Sequence, residues 1–249
     1  EANLTLQREV ERERERDRQR TAFFSAASHE LKTPVTILKG QLSGMLDGVG
    51  AYRDRDKYLL RSLQVAGRME HLIGEMLAIS RMETGSAEVR RERVDLSALL
   101  DRRLTQDDEM FHLRGQRLIS DLTPGVSVAG DEAMLEKVVG CLLSNAALYS
   151  PEGAEIRVTA AARGAWAVLT VENTGARIPA EALPHLFEAF YRGEGSRNRQ
   201  TGGSGLGLYL VKRILEYHCG EIQIRNTAAG VCVEVWLPRT NSTETTTSC

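Results

Sequence analysis

Apolar residues recur every seven positions at Phe24, Leu31, Leu38 and Met45, with Ser28, Val35 and Leu42 in a parallel row beside them. That period places a mostly apolar stripe along one helix, and Gly48 and Gly50 predict its end. A second helix is expected over Asp56–Glu83, with Leu59, Leu63, Ala66, Met69, Ile73, Met76 and Leu77 turned inward. Ahead of the stripe, residues 4–20 alternate Arg and Glu through Glu11–Arg16, the pattern of a solvated helical arm. Two helices joined by a short turn form an antiparallel hairpin. One hairpin cannot cover its own stripe, so two hairpins in a four-helix bundle, and hence a homodimer, are expected. The competing reading is a hairpin folded back on the rest of its own chain.

The pattern changes after a polar stretch at Gly85–Arg93, read as a linker. Helical periods fit Leu96–Leu113, Glu132–Leu148 and Leu206–Tyr217. Alternation fits strands at Ile156–Ala162, Ala167–Glu172, Glu221–Arg225 and Val231–Leu237, with weaker ones near Leu118–Leu122 and Val126–Ala129. The class is therefore α+β: a helical hairpin followed by an α/β sandwich with helices on one face of a largely antiparallel sheet. The expected divisions are a charged arm at 1–20, a hairpin domain at 21–85, a catalytic domain at 93–239 and a disordered Ser/Thr-rich tail at 240–249.

Composition narrows the class without naming a chemistry. Of 249 residues, 42% are hydrophobic and 27% charged, the mixture of a soluble folded protein. A net charge of -2 argues against general nucleic-acid binding, which favours a basic excess. No apolar run reaches the length of a membrane span, and the charged residues 1–20 do not form a signal peptide. The chain starts at Glu1 rather than Met and reads as a fragment whose membrane attachment, if any, lies upstream. Cys141, Cys219, Cys232 and Cys249 lack paired metal-ligand spacing and read as incidental thiols of a reduced compartment.

The chemistry begins at Ser28-His29-Glu30-Leu31-Lys32-Thr33-Pro34. His29 falls off the apolar stripe, and Thr33, four residues on, shares its outer face. Glu30 is placed to accept a proton from one ring nitrogen, making the other a better nucleophile. Pro34 removes the amide that would bond the Glu30 carbonyl, so a bend or loosening is expected one turn past His29. These residues resemble the phosphoacceptor box of sensor histidine kinases. The resemblance makes His29 the phosphoacceptor, Glu30 the catalytic base, and Thr33 the residue that orients water for dephosphorylating a response regulator.

Four further segments occur in that family's order. On Glu132–Leu148, the stretch Leu142-Leu143-Ser144-Asn145-Ala146 resembles the magnesium-binding helix, with Asn145 on the metal. Cys141 stands where another Asn is usual, and Leu148 where a phosphate-contacting Lys is common. Glu172–Pro179 resembles the adenine-binding box, normally Asp-x-Gly-x-Gly. Asn173 replaces its Asp, Gly175 is kept and Arg177 replaces the second Gly. An Asn carbonyl can still accept from the adenine amino group. Leu186–Arg192 resembles the Phe-rich box, with Ala189 where Pro is usual, and Gly193–Thr201 is polar and basic, as a lid would be. Arg192 and Arg199 read equally as contacts to the terminal phosphate or as solvated charges. Finally, Gly202-Gly203-Ser204-Gly205-Leu206-Gly207-Leu208 leads into a helix, where close backbone approach and free amides suit phosphate.

The resemblance covers residues 21–238 and implies ATP, Mg2+, a homodimer, a response regulator as partner and a place on the cytoplasmic side of the membrane. It implies Asn145, Asn173, Gly175, Arg192, Thr201, Gly203, Gly205, Leu206 and Gly207 at the nucleotide. Leu186–Leu208 is similar in particular to the VanS-type vancomycin-resistance sensors. Two rivals stand beside it. One is another enzyme on the same ATP fold, a chaperone-type ATPase or anti-sigma serine kinase, neither of which needs His29–Pro34. The other is a degenerate kinase acting as regulator phosphatase or scaffold, motivated by Cys141, Leu148, Asn173 and Arg177.

Overall fold

The computed structural model describes residues 2–84, 90–193 and 203–240. The chain divides into two compact units, residues 1–77 and 78–249. The first is built from α1 (Ala2–Asp47) and the first three-quarters of α2 (Arg55–Glu83), joined through a 3-10 turn at Gly50–Arg53. The charged arm and the His29 segment are one continuous helix. Gly48, in the left-handed region at φ 64°, ends it. Tyr52 of the turn folds back so closely that a Cβ at Gly44 would lie 2.5 Å from its ring.

The hairpin's buried seam differs from the expected one. Phe23, Ala27 and Met45 on α1 and Ser62, Val65, Leu72 and Glu75 on α2 are buried. Ser62 donates to Gln41 Oε1 at 2.8 Å across the seam. Phe24, Val35 and Leu42 are exposed, as are Leu59, Leu63, Ile73 and Leu77. The expected inward stripe is therefore a second apolar face. Two helices touch along a narrow line, and a stripe wider than that line stays open in a single chain.

In the second unit, β1 (Glu92–Asp95) pairs antiparallel with β3 (Ser127–Gly130). A five-stranded sheet runs in the order β2 (Arg117–Leu122), β4 (Glu155–Arg163), β5 (Trp166–Thr174), β7 (Gly230–Pro238), β6 (Glu221–Asn226). Only β2–β4 is parallel. Helices α3 (Leu96–Leu113), α4 (Glu132–Tyr149) and α5 (Gly207–Tyr217) accompany it. Asp95 caps α3 by accepting from Ala98 N, and Asp131 caps α4 by accepting from Met134 N, each at 3.0 Å. Alternate strand residues Ile156, Val158, Ala160, Leu169, Val171 and Val235 are sealed with Leu99, Leu100, Leu135, Leu143 and Ile214 of the helices. Every inward residue expected on α4 is buried.

The first two residues of β1, Glu92 and Arg93, fall in the expected linker. The strand's single buried residue, Val94, is too little periodicity to mark a strand; the pairing Val94↔Val128 makes it one. Cys141 and Cys232 form no disulfide, whereas Cys219 is disulfide-bonded, which corrects the expectation of four incidental thiols. No described helix is long and apolar enough to cross a membrane. Residues 85–89 of the expected linker, 194–202 of the expected lid and glycine turn, and the tail 241–249 lie outside the described residues.

Candidate functional site

On α1, the His29 side chain is 80% exposed, and its Nδ1 lies 3.7 Å from Oε1 of Glu30. That separation is an ion-pair distance rather than a hydrogen bond, so a small rotation is needed to bring ring and carboxylate together. Because Nδ1 faces the carboxylate, Nε2 is the ring nitrogen that Glu30 does not engage. Thr33 is exposed on the same side and donates weakly to the His29 carbonyl at 3.5 Å. Pro34 sits inside α1, which continues unbroken to Asp47. The expected loosening is thus limited to the bond that Pro34 cannot make, because the helix on either side keeps its own ladder.

In the second unit, Asn145 is half-buried on α4, and its Nδ2 donates to Cys141 Sγ at 3.7 Å. Its carbonyl oxygen is the atom left for a hard cation. Among the described residues no group of three or more His, Cys, Asp or Glu side chains is placed to hold a metal. An oxygen from one amide suits an ion that takes most of its ligands from phosphate and water.

Asn173, near the end of β5, is 5% exposed. Its Nδ2 donates to Ser150 Oγ at 2.9 Å, just past the end of α4. Gly175 follows at φ 76°, where a Cβ would lie 2.8 Å from Pro151 Cγ; only glycine fits there. Its amide donates to the Ala229 carbonyl at 2.9 Å. The loop beyond is held by Asn226, which accepts from Ile178 N at 2.9 Å and donates to Ile178 O at 2.8 Å. Asn173, Gly175 and the end of α4 therefore share one corner of the sandwich.

The glycine turn is equally constrained. Gly205 has φ 73°, and a Cβ there would come 2.8 Å from the Phe190 backbone, whose amide donates to Gly205 O at 2.9 Å. Phe190 is itself left-handed, at φ 63°. Leu206 is fully buried, its amide donates to Ser204 Oγ at 3.1 Å, and its carbonyl accepts from Leu210 N at 2.8 Å to start α5. Gly207 opens that helix without a side-chain cap, so its first amides are open to an anion. The position a Cβ would take at Gly203 is 3.8 Å from Tyr149 Oη, which brings the glycine turn beside the end of α4. Arg192 is half-buried in the segment before the lid. Thr201, with Gly202 and Arg199, lies outside the described residues.

Sequence reasoning missed Ser150, Gln116 and Asn226. Gln116 is buried, and its Nε2 donates to the carbonyls of Ala147 and Ser150, both at 2.9 Å, tying down the end of α4. Each acts through partners 31 to 48 residues away, or 23 for Ser150, so no local pattern marks them. Farther off, Tyr209 Oη donates to Glu83 Oε1 at 3.4 Å. Burial, followed by the Glu83 charge, raises the Tyr209 phenol above its ordinary value.

Residues 19–85 match the His Kinase A (phospho-acceptor) domain, and residues 130–241 match the histidine kinase-, DNA gyrase B- and HSP90-like ATPase. The sensor protein VanSB of Enterococcus faecalis is 32% identical over 95% of this chain and 53% of its own length. The signal transduction histidine-protein kinase BaeS of Escherichia coli is 34% identical over 88% of this chain and 47% of its own. The chain thus spans about half the length of the curated relatives it matches. Among solved structures, the Acinetobacter baumannii histidine kinase AdeS aligns with TM-score 0.72 at 26% identity, covering 86% of this chain and 98% of that one. Histidine kinase ThkA, in a complex with the response regulator protein TrrA, aligns with TM-score 0.71 at 21% identity, over 91% of this chain and 64% of that one, and shows the fold. Phosphoacceptor hairpin, ATPase sandwich and both sets of relatives agree: the chain belongs to the two-component sensor histidine kinases.

Proposed function

We propose that the chain moves the terminal phosphoryl group of ATP onto His29 and from there to an aspartate of a response regulator. The observation that carries this reading is the His29 turn: an imidazole that is 80% exposed, with its Nδ1 rather than its Nε2 set against Glu30. Nε2 attacks the terminal phosphorus in line, the N–P bond forms, and the bond to the bridging oxygen of the departing ADP breaks. Glu30 takes the Nδ1 proton, and in the loaded complex the 3.7 Å gap closes to a hydrogen bond. Catalysis of this kind is mainly positioning and charge stabilisation.

The nucleotide is assigned to the corner shared by α4, the end of β5 and the start of α5. Asn173 accepts from adenine, Gly175 allows the base close approach, and Gly203, Gly205, Leu206 and Gly207 present backbone to the phosphates. Arg192 and Thr201 are assigned to the phosphate side. Asn145 Oδ1 is the ligand assigned to Mg2+, which when bound neutralises phosphate charge.

The exposed apolar face of the hairpin supports a homodimer, since Leu46, Leu59, Leu63 and Leu77 are more than half exposed in one chain and a stripe of that kind is covered in a four-helix bundle. The domain divisions follow: arm 1–20, dimerisation and phosphotransfer 21–85, catalysis 93–239, tail 240–249. The response regulator docks on the bundle beside His29, a reading supported by the complex named for ThkA. There Thr33 turns its weakly held hydroxyl outward to orient water for dephosphorylation. Attachment to the membrane would come through upstream segments, with this portion on the cytoplasmic side. The vancomycin-resistance assignment rests on Leu186–Leu208 and the likeness to VanSB; faster transfer to a regulator of such a system than to others would support it.

The second reading, a degenerate kinase acting as phosphatase or scaffold, is favoured by Cys141, Leu148, Asn173 and Arg177. Incubation with labelled ATP and Mg2+ separates the two. Acid-labile label that is lost in His29→Gln and strongly reduced in Glu30→Gln supports transfer. ATP binding without label on the wild type selects the degenerate reading.

A further inference from the structure

Asn173 brings an amide to a position where the family places a carboxylate. The difference matters because a carboxylate only accepts hydrogen bonds, whereas an amide has one accepting and one donating edge. A carboxylate therefore dictates its partner in either rotamer. An amide dictates it only if something prevents the group from turning over.

That restraint is present. Asn173 Nδ2 donates to Ser150 Oγ at 2.9 Å, while Ser150 Oγ donates to the Ala146 carbonyl at 2.6 Å. A hydroxyl carries one proton, and this one is committed to α4. Ser150 has only a lone pair to offer Asn173. Turning the amide over would set Oδ1 against that lone pair, two acceptors face to face in a buried place, with the cost of an unmade bond. Ser150 is itself held, since Gln116 Nε2 donates to its carbonyl at 2.9 Å. Asn173 Oδ1 takes no hydrogen bond from any described residue, and it is not among the sealed unpartnered polar atoms. The accepting edge is therefore not fully sealed in the protein interior.

We propose that Ser150 is the positioning residue that sets the nucleobase preference of the site: by holding the Asn173 amide with its carbonyl outward, it selects a purine bearing an amino group at position 6 over one bearing a carbonyl. The inference rests on the reading of Asn173 as the adenine contact. A freed amide would turn its donating edge to a 6-carbonyl, so loss of Ser150 admits guanine and hypoxanthine nucleotides.

The test is competition of ATP, GTP and inosine triphosphate against a ribose-labelled fluorescent ADP on the whole chain with Mg2+. Wild type should favour ATP over both competitors. Ser150→Ala should shrink that preference by about ten- to a hundredfold, the scale of one mismatched donor–acceptor pair, with the gain on the GTP and inosine triphosphate side. Ser150→Thr keeps a hydroxyl and should keep the preference. In an Asn173→Asp background, Ser150→Ala should leave the preference unchanged, because a carboxylate has no donating edge to expose. An unchanged preference in the single Ser150→Ala variant, or an equal loss of all three nucleotides, overturns the proposal. Should Ser150→Ala not fold, the wild type decides: rejection of inosine triphosphate supports the restraint, and binding as tight as ATP overturns it. Asn173→Ala separates the two layers. Weakened ATP binding keeps the adenine contact even where the restraint fails, and unweakened binding removes the contact itself.

Discussion

The two units hide apolar surface in opposite ways. In the ATPase unit Leu143, Ile156, Leu169 and Leu206 are almost wholly sealed, and the helices and sheet complete one another within the chain. In the hairpin, Leu46 and Leu63 stand 81% and 71% exposed, and Leu59, Leu60 and Leu77 are also open. Function divides along the same line. In the proposed function the base contact, Asn173, is buried, whereas the proposed phosphoacceptor, His29, stands exposed. One unit closes its apolar surface within its own chain; the other leaves a stripe open that the proposed dimer would cover.

The most forceful way to break this contrast is a charge in the open stripe. Leu63→Asp should weaken self-association by about 3–5 kcal/mol, the scale of an unpaired charge in a buried interface, while nucleotide binding is unchanged. Sedimentation velocity beside nucleotide titration reads both. The converse is Leu143→Ala, which empties part of a sealed core and should destabilise the ATPase unit by about 2–5 kcal/mol in denaturant unfolding, leaving self-association intact. Gly205→Ala sharpens the contrast inside the site. A side chain in the left-handed region against the Phe190 backbone costs about 1–3 kcal/mol, expected chiefly as weaker nucleotide binding.

The smallest effect is one of pH. His218 accepts from Asp131 N at 3.0 Å and donates to Ile214 O at 2.7 Å, so the folded chain needs it neutral. Burial lowers its pKa from 6.5, with nearby Arg91 lowering it further, against the opposing pull of the Ile214 carbonyl and the Asp131 charge. Above pH 6.5 the stabilisation is fully present, since neither state is protonated. As pH falls below 6.5 the unfolded chain takes the proton first, and stability drops through the folded pKa. Melting temperature followed against pH should show this decline in wild type and less of it in His218→Gln, which keeps an acceptor for Asp131.

Much of this was legible because it is local. On α4 the apolar period is saturated, and all the expected inward residues are buried. The hairpin stripe was equally visible, yet Leu59, Leu63, Ile73 and Leu77 face outward. Periodicity marks an apolar face without saying whether the same chain covers it, and the seam actually used includes Ser62 and Glu75, polar residues that no hydrophobic count selects. Strand β1 escaped notice because its pairing with β3 is non-local. The motif residues His29, Asn145, Asn173 and Gly205 carry recognisable neighbours, but the bonds that position Asn173 come from Ser150, and through Ser150 from Gln116, where nothing adjacent announces a role.

The central claim is that His29, rather than a neighbouring hydroxyl, receives the phosphoryl group. Peptide mapping of the chain after incubation with ATP and Mg2+, kept at neutral to alkaline pH, reads it directly. Phosphate on the His29 imidazole, lost on brief acid treatment, is expected; acid-stable phosphate on Ser28 or Thr33, with His29 unmodified, would contradict this assignment.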